Sequence, residues 1–173
     1  MIFYQPPTLD DGVIALCLDA CVPMKGMAWA PSYQFYLYPV DTLGPDGRPE
    51  RRGGRAPEPI GHIHLRVGMN DNIYYGGHIG YGVREPHRGH GYARRACLLV
   101  APFARFLGHD ELVITTTPDN LASLRTIEGL GAEFMGNVDV PRYHDLYKRG
   151  DRVISRFVWD ISKIEPLRDL LRR

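Results

Sequence analysis

The chain has 173 residues, of which 44% are hydrophobic and 24% charged, a composition ordinary for one globular domain with a single buried core. We therefore predict one domain over residues 1–173. The formal net charge of +1 gives no general attraction to nucleic acid or to a membrane surface, so any anion site must be local. The N-terminus lacks the features of a signal peptide and no apolar run approaches the ~18 residues of a membrane span, so a cytoplasmic location is expected.

The first predicted element is a helix that begins near Thr8 and ends before Pro23. Its apolar stripe would consist of Val13, Leu16, Cys17 and Ala20. Cys17 and Cys21 lie four residues apart in this helix, where packing is their expected role. With Cys97 they make an odd number of cysteines without a Cys-x-x-Cys pair, which argues against a disulfide framework or a thiolate zinc site.

Three strands are predicted next, at Tyr33–Val40, Ile60–Val67 and Ile73–Val83. The connection between the first two is rich in proline, glycine and arginine, and we predict a mobile loop over 41–59. The last two strands would form an antiparallel hairpin that pairs Val67 with Ile73. That register places His62 opposite His78, although a slip of one residue would exchange the two faces.

The second half of the chain alternates helices and strands. A helix with apolar residues at spacings of three and four follows residue 91, and Pro102 lies inside it. After Gly108 we predict a strand at 111–116 and a helix from Asn120 to Gly131. The last two strands are predicted at 133–140 and 152–160, separated by a polar connection, and a short amphipathic helix is predicted within 161–173.

The stretch from Gly76 to Ala93 holds the most specific pattern of the chain. A strand ends at Val83, and a glycine-rich basic turn then leads directly into a helix. Successive backbone N–H groups at a helix start favour a phosphate or pyrophosphate, and Arg88 adds a planar, permanently charged donor. The dinucleotide fingerprint fails at Glu85, and no Gly-Lys-Ser/Thr follows to make a nucleoside-triphosphate loop.

Two motifs identify a family. The first is Arg/Gln-x-x-Gly-x-Gly/Ala, which is met by Arg88, Gly91 and Ala93. It resembles the acyl-coenzyme A motif of the GNAT superfamily of N-acetyltransferases. A second signature supports the resemblance, with Asn120 at the start of a helix, Ser123 three residues later and a glycine at the end. The Gly-Gly-His-Ile-Gly-Tyr segment before the loop is similar to a branch of predicted acetyltransferases within this superfamily.

The resemblance implies an α/β (α+β) fold, with a mixed, mostly antiparallel central sheet flanked by helices. It also implies acetyl-CoA as co-substrate, without a metal. The strand before the loop would splay from its neighbour and leave backbone groups for the pantetheine arm, and residues 24–31 would border the acceptor pocket. The implied coenzyme-binding residues are Tyr81, Val83, Arg88, Gly89, His90, Gly91, Tyr92, Ala93, Asn120 and Ser123.

Glycines 80 and 82 are consistent with close approach of a ligand to the strand or with helix packing. The histidines His62, His64 and His78 bring no carboxylate or cysteine at ligand spacing, so no metal site is predicted.

The catalytic residues that we predict are Tyr81 and His78. In the superfamily the usual strand-borne base falls at positions occupied here by Gly77 and Ile79, which accept no proton, and the usual helix tyrosine falls at Ile127. Tyr81 could protonate the departing thiolate or only pack in the core. His78 could take a proton at neutral pH or be a satisfied structural residue. The weaker candidates are Tyr143 and His144, and attack through water needs no side-chain base.

These observations predict an N-acetyltransferase that moves an acetyl group from acetyl-CoA to a primary amine by direct attack. The alternative is a catalytically silent acyl-CoA-binding module, because the usual base and acid are missing. The expected partner is a small-molecule or peptide amine. Neither nucleic acid nor a membrane is expected as a partner, and a homodimer stays open.

Overall fold

The protein is described by a computed structural model that defines residues 3–23 and 30–167. Within these residues, two antiparallel sheets are flanked by helices. The larger sheet has the spatial order β1 (Leu9–Asp10), β2 (Ile14–Val22), β3 (Ser32–Pro39), β4 (Gly61–Arg66) and β5 (Ile79–Val83). The smaller sheet contains β6 (Glu111–Thr116), β7 (Glu133–Asp139) and β8 (Val153–Asp160), with β8 in the middle. The helices are α1 (Asp71–Gly76), α2 (Tyr92–Phe106), α3 (Leu121–Gly129) and α4 (Asp145–Arg149). The predicted fold class is confirmed.

One apolar core joins both sheets and α2. The buried stripe of α2 consists of Ala96, Cys97, Val100, Ala101, Phe103 and Ala104. Phe35 and Ile63 of the larger sheet and Ile114 of the smaller sheet belong to the same cluster. Burial of this much apolar surface is the main stabilising contribution to the fold, and it fixes the position of α2 relative to β5. Cys97 is fully buried in this stripe.

The helix predicted between Thr8 and Pro23 is wrong. These residues form β1 and β2 instead, and β2 pairs with β3 from Ile14 opposite Pro39 to Val22 opposite Ser32. The apolar residues of this segment do not select one period, because every residue from Ile14 to Val22 except Asp19 is apolar, and the consecutive Ile14, Ala15 and Leu16 are all buried. A long ladder with β3 decides between the two patterns, since tertiary pairing overrides weak local propensity.

The strand predicted to begin at Ile73 begins only at Ile79. Asn70 caps α1 through its side chain, which accepts a hydrogen bond from the Ile73 N–H at 3.0 Å. This helix takes up the residues before β5 and shifts the hairpin register, so that His62 lies opposite Gly82. The predicted pairing of His62 with His78 is therefore wrong, although the shift is even and keeps the faces as predicted.

The glycines of β5 leave room for side chains of β4. A Cβ atom at Gly82 would lie 2.7 Å from the His62 ring, and one at Gly80 would lie 3.5 Å from the Arg66 guanidinium. Both side chains cross β5 on the face opposite the buried Ile63. The atoms that crowd these two glycines belong to β4 and not to a helix, and the close approach of a ligand to them stays a prediction.

The two sheets are joined at one end by His78. Its backbone N–H donates to the Val113 carbonyl at 2.7 Å, and its ring Nδ1 accepts from the Val113 N–H at 2.9 Å. The other ring nitrogen contacts the Gly68 carbonyl at 2.9 Å, so Nε2 carries the proton. The preceding residue, Gly77, has φ +70° and passes so close to β6 that a Cβ would lie 2.9 Å from the Val113 carbonyl.

The remaining predictions concern connections. The predicted loop 41–59 contains a 3₁₀ turn at Val40–Thr42 and two isolated bridges, and the Gly47 carbonyl accepts a hydrogen bond from Thr8 at 2.7 Å. Its mobility stays a prediction. The sequence missed α4, and the helix predicted for the tail is wrong over 161–167. The rest of that tail and residues 24–29 lie outside the described part of the chain. None of the helices defined in 3–23 and 30–167 has the length and apolar character of a membrane span.

The His78 junction predicts a dependence of stability on acid pH. Burial, and then the neighbouring His109, lower the pKa of His78 from 6.5 to about 4. Between these values the unfolded chain takes up a proton that the folded protein does not. The stabilisation is therefore complete above pH 6.5 and declines as the pH falls toward 4, by about 3 kcal/mol for this residue.

The check is urea denaturation at a series of pH values for the wild type and for His78→Gln. The variant should lose stability less steeply with acid, whereas His90→Gln, at an exposed histidine, should keep the wild-type slope. Equal slopes for all three proteins would contradict the prediction.

Candidate active site

The backbone of β5 directs alternate polar groups toward β6. The Arg66 N–H donates to the His78 carbonyl at 2.8 Å, and the Arg84 N–H donates to the Ile60 carbonyl at 2.9 Å. In the observed register, these bonds make Ile79, Tyr81 and Val83 the non-hydrogen-bonded positions relative to β4. Their N–H and C=O groups therefore face away from β4, and no ladder within the described residues pairs them with β6. The strands diverge here, as the resemblance implies.

The loop after β5 presents unused backbone amides. A 3₁₀ turn at Glu85–His87 leads to Gly89 and Gly91, whose φ angles are +82° and +72°, and Gly91 forms the N-cap of α2. The amides of residues 89–93 donate no hydrogen bond to any of the described residues, whereas the Arg95 N–H donates to the Gly91 carbonyl at 3.1 Å. Consecutive amides at the positive end of a 15-residue helix make an anion site.

Arg88 braces this loop against the strand. Its Nε donates to the Val83 carbonyl at 3.0 Å, and its terminal nitrogens have no partner among the described residues. Of the two backbone groups of Val83 that face the gap, the carbonyl is therefore occupied and the N–H remains available.

These elements enclose a cleft of about 610 Å³. The predicted coenzyme-binding residues line it, except for His90, whose ring stacks on Tyr92 at 5.4 Å between centroids. The cleft also contains Gly82, at which the sequence allowed close approach of a ligand, and residues that the sequence did not indicate, namely His87, Ala122, Arg125 and Thr126. The position of Arg125 two residues after Ser123, on the first turns of α3, is the signal that could have identified it.

The inner end of the cleft is formed by Tyr81 and Ser123. The Tyr81 hydroxyl lies 2.9 Å from Ser123 Oγ, and the Ser123 N–H donates to the Asn120 side chain at 3.1 Å. Burial raises the pKa of Tyr81 to about 12, and the hydrogen bond with Ser123 opposes this increase. The phenol is therefore protonated at neutral pH and able to donate.

A second cleft of about 460 Å³ meets the first at these residues. Tyr81, Asn120 and Ser123 line both clefts. The rest of its wall comes from the end of α1, the start of β5, the end of β6, and the segment from α4 to the start of β8. The diverging strands thus have a cavity on each side of the Tyr81–Ser123 contact.

The geometry argues against His78 as a base in the catalytic step. It is 3% exposed, both ring nitrogens are used by backbone groups, and it lines neither cleft. The other weak candidates, Tyr143 and His144, do not line the clefts either, and His144 caps α4. Ile127, at the position of the usual helix tyrosine, is fully buried. Within residues 3–23 and 30–167, no group of three or more histidine, cysteine or acidic side chains is arranged to hold a metal.

A sequence comparison decides the family. The model of the acetyltransferase (GNAT) domain matches residues 25–133, which is more than half of the chain. The chain belongs to the GNAT acetyltransferase family. Both motifs that indicated the family, around Arg88 and around Asn120, lie inside the matched region. No protein of curated function matches this GNAT chain.

Solved structures support the same fold. A structure described as a probable acetyltransferase of the GNAT family from Chromobacterium violaceum aligns with a TM-score of 0.58 at 12% identity, over 94% of this chain and 92% of that one. The ribosomal-protein-S5-alanine acetyltransferase of Vibrio fischeri aligns with a TM-score of 0.54 at 17% identity, over 78% of this chain and 64% of that one. RimJ of Mycobacterium smegmatis, in complex with CoA-disulfide, aligns with a TM-score of 0.53 at 18% identity, over 82% of this chain and 58% of that one. The GNAT chain thus spans less than two thirds of the last two proteins.

Two substitutions at Asn120 test its role as the cap of α3. Asn120→Ala should lower the free energy of unfolding by about 1 kcal/mol, because the Ser123 N–H loses its acceptor. Asn120→Asp should retain most of that stability, because a carboxylate caps equally well. Urea denaturation of both variants is the measurement, and an equal loss in the two would contradict the capping role.

Proposed function

We propose that this GNAT domain transfers an acetyl group from acetyl-CoA to a primary amine by direct attack. The observation that carries the proposal is the row of unused amides at residues 89–93, placed at one end of a cleft whose other end is Tyr81. An anion site and a site for the reacting group are thus joined by one cavity. The experiment that tests it is the release of free coenzyme A from acetyl-CoA in the presence of a panel of amines.

The coenzyme is held in two ways. The amides of residues 89–93 bind the pyrophosphate, with the terminal nitrogens of Arg88 and with Arg125 as additional cations on the cleft wall. The pantetheine arm takes the place of the missing strand partner of β5 and pairs with the backbone groups of Tyr81 that face the gap, while the N–H of Val83 is left for the thioester. The side-chain oxygen of Asn120 accepts a hydrogen bond from the Ser123 N–H, so the side-chain nitrogen of Asn120 is a further donor to the pantetheine arm.

The transfer step needs a polarised carbonyl and a neutral amine. The Val83 N–H donates to the thioester oxygen, on which negative charge develops in the transition state. The amine nitrogen bonds to the carbonyl carbon, the carbon–sulfur bond breaks, and the proton of the amine reaches the sulfur directly or through water. No acyl-enzyme is formed.

Tyr81 stabilises the departing thiolate by a hydrogen bond. Complete proton transfer is unfavourable, because the pKa of the phenol is about 12, whereas that of an ordinary thiol is about 8.5. A donated hydrogen bond to the charged sulfur contributes instead, at about 1.5–3 kcal/mol. Ser123 keeps the phenol in position.

The similar structures are consistent with this function. RimJ of Mycobacterium smegmatis was solved with a coenzyme A disulfide, and the Vibrio fischeri protein is named for an alanine of a ribosomal protein. At these identities the likeness concerns the fold, so the acceptor is not carried over. The amine acceptor, the cytoplasmic location and the single domain stay predictions from the sequence.

A catalytically silent coenzyme-binding module is the second candidate. The observation that favours it is that His78 is occupied by backbone groups, while the positions of the usual base and acid carry Gly77, Ile79 and Ile127. Saturable binding of acetyl-CoA without thiol release for any amine would support the silent module and overturn the proposed transfer.

Gly91→Glu should abolish the binding of acetyl-CoA. The new carboxylate would stand beside the amides of the loop and repel the pyrophosphate. A matched control is Gly108→Glu at the other end of α2, since both glycines have positive φ angles and open space around them. Both variants should lose a similar 1–2 kcal/mol of stability, roughly, because of backbone strain.

Isothermal titration calorimetry with acetyl-CoA measures the difference. The Gly108→Glu protein should bind with the wild-type affinity. Retained affinity in Gly91→Glu would place the coenzyme elsewhere.

Tyr81→Phe should lower kcat roughly tenfold and leave the affinity for acetyl-CoA close to that of the wild type. The reason is that the lost hydrogen bond acts on the thiolate, which exists only as the thioester breaks. Steady-state kinetics together with calorimetry separate the two effects. An unchanged kcat would remove Tyr81 from the mechanism and leave it as a packing residue.

A further inference from the structure

We infer that the second cleft binds an acceptor amine that also carries a carboxylate, and that Arg149 is the residue that recognises this carboxylate. The inference rests on the proposed function, because it names the class of acceptor for the same reaction. The substrate class is that of small zwitterionic amines such as free amino acids.

The position of the second cleft is the first argument. It shares Tyr81, Asn120 and Ser123 with the coenzyme cleft, and most of its remaining lining residues come from other segments. A molecule that fills it therefore meets the thioester at Tyr81 while the coenzyme occupies its own cleft. The cavity of about 460 Å³ is within the range of ~300–1,000 Å³ that small-molecule sites occupy.

The charge of the lining is the second argument. Among the lining residues only Arg149 and Asp151 are charged. Neither side chain forms an ion pair within the described residues, whereas the neighbouring Lys148 pairs with Asp145 at 3.1 Å. Arg149 and Asp151 thus offer one cation and one anion to a ligand in the cleft.

Arg66 adds a second positive charge near Arg149. Its guanidinium crosses Gly80 and donates to the carbonyls of Gly76 and Gly77 at 3.1 and 3.0 Å. Gly76 and Gly80 line the cleft, so this second guanidinium lies directly behind its wall. Burial, and then the like charge of Arg149, lower the pKa of Arg66. A carboxylate bound to Arg149 would attract both guanidinium groups and so offset the repulsion between them.

Asp151 suits the other end of such a ligand. Its carboxylate accepts hydrogen bonds from the ammonium form of the acceptor, while Ile79, Leu146 and Ile154 provide an apolar wall. A free amino acid carries its ammonium and carboxylate groups a few bonds apart. A peptide N-terminus offers the amine without the neighbouring carboxylate.

The experiment compares free amino acids with the matching carboxamides as acceptors, at saturating acetyl-CoA. For the wild type, kcat/KM should be at least about tenfold higher for the amino acid. Without a site for the carboxylate, the carboxamide would react faster, because its amine is less basic. In Arg149→Gln, KM for the amino acid should rise about tenfold, with little change in kcat and no change for the carboxamide.

Arg142→Gln is the matched control, since it removes the same charge from an exposed residue of the same connection that lines neither cleft. It should behave as the wild type toward both acceptors. Efficient transfer to carboxamides without a preference for amino acids would overturn the inference and leave the proposed function intact.

Absence of transfer to every amine would overturn the proposed function instead. The inference is then decided at equilibrium, by calorimetric titration of amino acids into the protein saturated with coenzyme A. Binding that is weakened about tenfold by Arg149→Gln, and not by Arg142→Gln, would uphold the recognition of the carboxylate. Absence of binding would overturn it.

Discussion

The point at which the two sheets separate determines the rest of this structure. His78 and Val113 hold β5 and β6 together at one end, and beyond them the strands share no ladder among the described residues. Peptide groups of Tyr81 and Val83 that an ordinary sheet would pair internally face a cleft instead. A buried peptide group without a partner costs about 1–3 kcal/mol. Such a gap is therefore stable only when water or a ligand supplies the missing hydrogen bonds. The unpaired peptide groups of β5 need hydrogen-bond partners, and on the proposed function the amide groups of the coenzyme supply them.

The two ends of the coenzyme cleft are built by different physical means. At the loop, Gly89 and Gly91 adopt positive φ angles and α2 contributes its dipole, so the geometry is local to a few consecutive residues. At Tyr81, the geometry depends on β5 and on α3, which meet through Ser123. The core around α2 holds these two ends at a fixed separation, because the helix packs on both sheets.

The sequence predicted the parts of the protein in which the local pattern and the tertiary role agree. The loop and α2 are an example, because glycines, a basic residue and a helical apolar stripe all point to one arrangement. The segment Ile14–Val22 is apolar at every position except Asp19 and so selects neither period, and only its pairing with β3 shows that it is a strand. The role of His78 depends on Val113, 35 residues away, and no local pattern carries that information. The second cleft was missed for the same reason, since four distant segments form it.

The contact between Tyr81 and Ser123 lies where the two clefts meet. The glycine loop lines the first cleft, and α4 lines the second. On the proposed function, a coenzyme bound in the first cleft therefore leaves the second cleft clear for the acceptor. Two separate clefts would allow both reactants to be bound at the same time, in either order of binding.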